Sequence, residues 1–124
     1  MGYGFPSRHD LVNFSNLPII IRIEFLRSMP VSLLTDSEIA QLNLSLPNWQ
    51  CLDGKLKRVW KFDDFSQAFA FMVRVALLAE VMGHHPNWSN VWNLVTIELT
   101  THDLAGLTNL DVEFAEKINQ ISGD

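Results

Sequence analysis

The chain carries one cysteine, Cys51, and has no cluster of basic residues, no glycine-rich loop and no long uninterrupted apolar run. A lone thiol excludes an internal disulfide and any zinc site built from cysteines, and it fits a reducing, cytoplasmic setting. Nine Lys and Arg against fourteen Asp and Glu leave a net charge of -5. Nucleic acid is therefore not an expected partner, because phosphate binding needs a concentrated positive surface. The most apolar N-terminal stretch, Leu17 to Leu26, is broken by Pro18, Arg22 and Glu24, too short and too charged to span a bilayer. It also lacks the ordered parts of a signal peptide, and Pro6 stands where a myristoylation pattern wants Ser or Thr. No membrane association is expected. Without a glycine-rich loop, the common modes of nucleotide binding are excluded as well.

What is present fits one α+β domain with a real core: 124 residues, 48% of them apolar. Residues 1–30, punctuated by Gly2, Gly4, Pro6, Pro18 and Pro30, show no period. They read as an appended arm, disordered or outside the native protein, with Met29 as an alternative start; the domain proper is 31–124. Thr35-Asp36-Ser37-Glu38 has capping-box spacing and opens a helix over about 36–45, with Ile39, Leu42 and Leu46 on one face. Trp49–Leu52 and Lys55–Phe62 flank Asp53-Gly54, a hairpin turn signal.

Asp63 or Asp64 can cap a second helix, in which Phe65, Ala68, Phe69, Met72, Ala76 and Ala79 recur at helical steps. Phe71, Val75, Leu78 and Met82 occupy its opposite side. A helix apolar nearly all round is expected to pack on a sheet and on another subunit, so a homodimer or homotetramer is anticipated. Strands at Trp88–Val91 and Leu94–Thr101 follow, the second alternating Val95, Ile97 and Leu99 with Thr96, Glu98 and Thr100. Thr108 can cap a last helix through about Ile121, with Leu110, Phe114, Ile118 and Ile121 inward. The order α-β-β-α-β-β-α predicts a four-stranded antiparallel sheet with three helices on one face.

Three of the four histidines lie close in sequence: His84 and His85 in the break after the second helix, and His102 past the long strand. Glu80, Asp103 and Asp111 are near them in sequence, which makes an acid–base constellation. Singly, a loop histidine is more often a surface or capping residue than a catalyst. As a metal site the three fit poorly, since no His-x-x-x-His spacing aligns two rings on one helical face. Cys51 lies inside a predicted strand and reads as core. Trp49 and Trp88 adjoin the hairpin start and the His-His-Pro break, where either could stack on a flat heterocycle.

Glu80-Val81-Met82-Gly83-His84-His85-Pro86-Asn87-Trp88-Ser89-Asn90-Val91-Trp92-Asn93 resembles the signature of pterin-4a-carbinolamine dehydratases. Thr100-Thr101-His102-Asp103, followed by Gly106-Leu107-Thr108 and Asp111, resembles that family's second block at its usual spacing. Leu34 to Ile39 and Phe62 to Phe69 resemble its earlier segments, so the likeness covers about 31–121. Three positions depart: Gly83 replaces the common Asn or Asp, Trp92 the usual Tyr, and Ala105 a frequent Gly. The resemblance implies dehydration of 4a-hydroxytetrahydrobiopterin to quinonoid dihydropterin and water, in tetrahydrobiopterin recycling. It implies that His84, His85 and His102 surround the reacting carbon and that Glu80 and Asp111 orient rings or bind the pterin. The segments Gly83–His85 and Thr100–Asp103 would line the pocket, and no metal, flavin or nucleotide cofactor would be needed. Animal relatives also serve as dimerisation partners of a transcription factor, so a non-catalytic pterin-binding or dimerisation module is the alternative.

Overall fold

The computed structural model describes residues 16–22 and 30–124. The chain divides into two units, Met1–Pro30 and Val31–Asp124. Within the first, residues 19–22 form one helical turn, closed by the Arg22 amide donating to the Pro18 carbonyl at 3.1 Å. The rest of the expected arm, with Met29 as a start, lies outside the described residues.

In the second unit the order is α1 (Asp36–Ser45), β1 (Gln50–Leu52), β2 (Lys55–Lys61), α2 (Phe65–Met82), β3 (Asn87–Val91), β4 (Leu94–Leu99) and α3 (Asn109–Ser122). Each helix starts where a capping side chain satisfies its free amides. Thr35 and Glu38 close a reciprocal box on α1, and Asp64 rather than Asp63 caps α2 through the Gln67 amide at 2.8 Å. Asp53 and Gly54 both adopt positive φ, 52° and 72°, the conformation that joins β1 to β2 in two residues.

The sheet is antiparallel throughout, in the order β1-β2-β4-β3. Its register pairs Leu56 with Leu99, Arg58 with Ile97 and Trp60 with Val95, and it sets Trp88 opposite Ile97. Strand periodicity puts these side chains on one face. Leu56, Trp60, Val95, Ile97 and Leu99 there join Leu42 and Leu46 of α1, Phe71 and Val75 of α2, and Phe114 and Ile118 of α3 in one core. All three helices therefore cover the same face. Arg58, the one charge on it, lies over the Trp60 ring at 4.6 Å, donates to Asn119 Oδ1 at 2.7 Å and pairs with Asp124.

The two expected sides of α2 do not divide as the sequence spacing predicted. Ala68, Phe71, Val75 and Ala79 are buried on the sheet, while Phe65, Phe69, Val73, Leu77 and Val81, four residues apart, stand exposed. By length and apolarity alone α2 matches a membrane-spanning helix. Its buried face packs on a sheet instead, which explains the apolar residues on that side.

Helix α2 ends at Gly83, whose φ of 62° is left-handed; the Gly83 and His84 amides return to the Glu80 and Ala79 carbonyls at 3.3 and 3.1 Å. A Cβ at Gly83 would meet nothing within 4 Å. Any cost of substitution there is conformational: Gly83→Ala should lose about 1–2 kcal/mol in urea unfolding and Gly83→Asn distinctly less. Equal midpoints for the three proteins would contradict this.

Candidate active site

The ending of α2 places His84. Directly past the left-handed Gly83, its ring turns inward so that Nε2 lies 2.6 Å from Asp111 Oδ1, with the ring edge-on to Phe114 at 6.1 Å. Asp, Asn and Gly share tolerance of this backbone conformation, so Gly83 keeps the geometry of its more common counterparts. Ala105, a second departure, also has a left-handed φ, 55°, as does the exposed Trp92 at 50°.

Asp111 is fully buried, at 0% exposed, in the first turn of α3. It is the third residue after the cap Thr108, and Thr108-x-x-Asp111 closes a capping box. Asp111 Oδ2 accepts from the Thr108 amide at 2.9 Å and from the Thr101 hydroxyl at 2.8 Å. Thr101 Oγ1 also lies 2.7 Å from Thr108 Oγ1. One carboxylate thereby joins the segment 83–85 to the segment 100–103, and these two segments carry the three histidines.

His102 follows Thr101 directly and opens a short 3-10 turn, His102–Leu104, which the sequence reading did not anticipate. Backbone bonds between Thr101 and Gly106, 3.0 and 3.4 Å, close this loop at its base. Thr100 fastens it from the other side by donating to the Gly54 carbonyl at 2.9 Å. Among the described residues no side-chain hydrogen bond engages the His102 ring. His85 is different again: its Nε2 lies 2.7 Å from Glu80 Oε1, with both side chains largely exposed.

The remaining sequence candidates fall as follows. Gly83 contributes backbone only, and Asp103 is exposed. Thr101 turns its hydroxyl inward and is 9% exposed. Trp49 is corrected: it is 4% exposed, donates Nε1 to Asn119 at 2.8 Å and packs edge-on to Trp60 at 5.4 Å. Both its polar atom and its faces are taken by the core, which leaves none for a heterocycle. Burial raises the pKa of the Cys51 thiol, the opposite of what an attacking thiolate needs. Among the described residues no three His, Cys, Asp or Glu side chains group as metal ligands. A cavity of about 320 Å³, lined by Lys57, Asn87, Trp88, Ser89, Thr96 and Glu98, lies at the open face of the sheet, whereas His84 lies on the helix-covered side. Thr108, read from the sequence as a helix cap and not as a site residue, is a further member of the cluster. Its capping-box spacing to Asp111 was the available signal.

With this arrangement known, comparison with other proteins places it in a class. Residues 32–121 match the family model of pterin 4 alpha carbinolamine dehydratase. The chain belongs to that family. A family protein of Synechococcus sp. (strain WH7803) is 63% identical over 90 residues, 73% of this chain and 97% of the relative. One from Rhizorhabdus wittichii is 52% identical over 96 residues, 76% of this chain and 99% of the relative. Among solved structures, a transcriptional coactivator/pterin dehydratase from Brucella melitensis superposes with TM-score 0.71 at 44% identity, covering 74% of this chain and all of that one. A pterin dehydratase-like protein identified as a RuBisCO assembly factor in the alpha-carboxysome superposes with TM-score 0.52 at 27% identity, covering 61% and 88%.

The two carboxylate–histidine pairs should differ sharply in their effect on stability. Asp111→Ala strands buried partners and should cost about 3 kcal/mol or more. Glu80→Ala, in an exposed pair, should stay within about 1 kcal/mol. Urea unfolding of both variants checks this; similar losses would contradict the reading of Asp111 as the buried link.

Proposed function

We propose that this protein dehydrates 4a-hydroxytetrahydropterin to quinonoid dihydropterin and water, with His84, His85 and His102 as its acid–base groups. The C4a–O bond breaks, N5 gives up a proton, a C4a=N5 double bond forms, and hydroxide leaves as water with the proton it receives. Hydroxide is a poor leaving group, so one group must protonate it while another takes the N5 proton. Imidazole suits both tasks because its ordinary pKa lies near neutrality. No electrons change hands, so proton transfers complete the reaction.

The observation that carries this reading is the Asp111 carboxylate, which backs the His84 ring and is bonded to the residue preceding His102. A carboxylate behind an imidazole fixes its orientation toward a reacting group. In this reading the Gly83–His85 and Thr100–Asp103 segments border the pterin, Glu80 steadies His85, and the setting is cytoplasmic tetrahydrobiopterin recycling. In stopped-flow measurements the protein should accelerate 4a-hydroxytetrahydropterin decay, with acid–base help worth about 10²–10⁴-fold. His102→Ala should remain folded and lose most of that acceleration. Decay unchanged by wild-type protein would end the enzyme reading and favour the alternative of a binding module, for which the exposed face of α2 is the natural surface.

The same face supports a homo-oligomer. Phe65, Phe69, Val73, Leu77 and Val81 form one uncharged exposed stripe along all of α2, and exposed apolar patches of this kind mark interaction surfaces. Sedimentation should show a dimer or tetramer that Leu77→Lys dissociates without unfolding the subunit. A monomeric wild type would contradict it.

A further inference from the structure

Proton counting in the buried cluster gives two threonines a defined task. A hydroxyl has one proton to donate and two lone pairs with which to accept. Thr108 Oγ1 accepts from the Leu110 amide at 3.2 Å and from the Asp111 amide through the capping box. Both lone pairs are occupied, so its own proton must point elsewhere. Two acceptors are in reach: Thr101 Oγ1 at 2.7 Å and Asp111 Oδ2 at 3.4 Å. The shorter contact prevails, and Thr108 donates to Thr101. Thr101 in turn donates to Asp111 Oδ2 at 2.8 Å, where the Thr108 amide also arrives at 2.9 Å. The chain therefore runs one way, from backbone amides that can only donate toward the carboxylate.

Oδ1 is the oxygen left for His84. The first turn of a helix favours a negative charge, so Asp111 acts as acceptor there too and His84 Nε2 must carry a proton. A ring flip would set a carbon against Oδ1 and lose the 2.6 Å bond. Nδ1 then holds the lone pair of the neutral ring. Among the described residues it makes no hydrogen bond, and the side chain keeps 11% of its surface exposed.

We propose that Thr101 and Thr108 are positioning residues that, through Asp111, lock His84 in its Nε2–H tautomer and leave Nδ1 as the nitrogen that exchanges a proton with the pterin. The identity of the substrate rests on the dehydratase reading; the lock does not. Thr101 thus acts behind the histidine rather than on the ligand. Its hydroxyl is the one link in the chain that can be removed without touching a helix cap, because Val has nearly its shape.

Long-range ¹H–¹⁵N correlation spectra of the neutral His84 ring read the tautomer without substrate. Wild type should show protonated Nε2 and unprotonated Nδ1, and Thr101→Val should show a mixture. In pterin turnover Thr101→Val should lower kcat by about 10–100-fold while KM moves far less, and Thr101→Ser, which keeps the hydroxyl, should recover most of the loss. A wild-type ring protonated at Nδ1 overturns the proposal. So does a Thr101→Val protein with unaltered tautomer and kcat. An Nε2–H ring in a protein that does not turn over the pterin would support the lock and remove the dehydratase reading instead.

Discussion

A carboxylate with no exposed surface is the constraint on which this domain turns. Taking the Asp111 charge out of water costs several kcal/mol unless hydrogen bonds replace the lost solvation. The replacements come from three separate places: the ring of His84 after α2, the hydroxyl of Thr101 after β4, and the amide of Thr108 at the start of α3. None of the three can move alone without leaving the charge short of a partner. The same bonds that stabilise Asp111 therefore fix the two histidine-bearing segments relative to each other, and stability and site geometry become one property.

The sheet and helices supply the frame for that link. β4 delivers Thr100 and Thr101 to the sheet end, where the Asp53-Gly54 turn receives the Thr100 hydroxyl through the Gly54 carbonyl. Helix α2 delivers His84 at its left-handed terminus, and Phe114 and Ile118 seat α3 in the core. All three departures from the family pattern, Gly83, Trp92 and Ala105, fall where the backbone is left-handed, and Gly83 and Ala105 flank this region. Ala105 adopts that conformation at a conformational cost that glycine would avoid. The exposed stripe of α2, Phe65, Phe69, Val73, Leu77 and Val81, contains no member of the buried Asp111 cluster.

Much of the frame was legible from residue patterns. Capping residues marked the start of each helix, Asp53-Gly54 marked the hairpin, and the alternation from Val95 to Leu99 named the buried side of β4. The two faces of α2 were not separable, because apolar residues on both sides give no amphipathic contrast. Trp49 was misplaced as a stacking surface because a tryptophan beside a turn looks the same in sequence whether α3 covers it or not; the bond to Asn119, seventy positions away, decides it. The histidines stood out by their clustering and by the family blocks around them. The inward turn of Asp111 did not, since an acidic residue in a first helical turn ordinarily faces solvent and serves the helix dipole. Only its long-range partners, His84 and Thr101, reveal the second task.

The central claim is spatial: a pterin ring sits against the segments that Asp111 ties together. A crystal structure of the protein with a non-reactive dihydropterin tests it most directly. The account predicts the bicyclic ring in contact with His84, His85 and His102, on the helix-covered side of the sheet. A pterin bound instead in the open-face cavity beside Lys57 and Glu98 would contradict it.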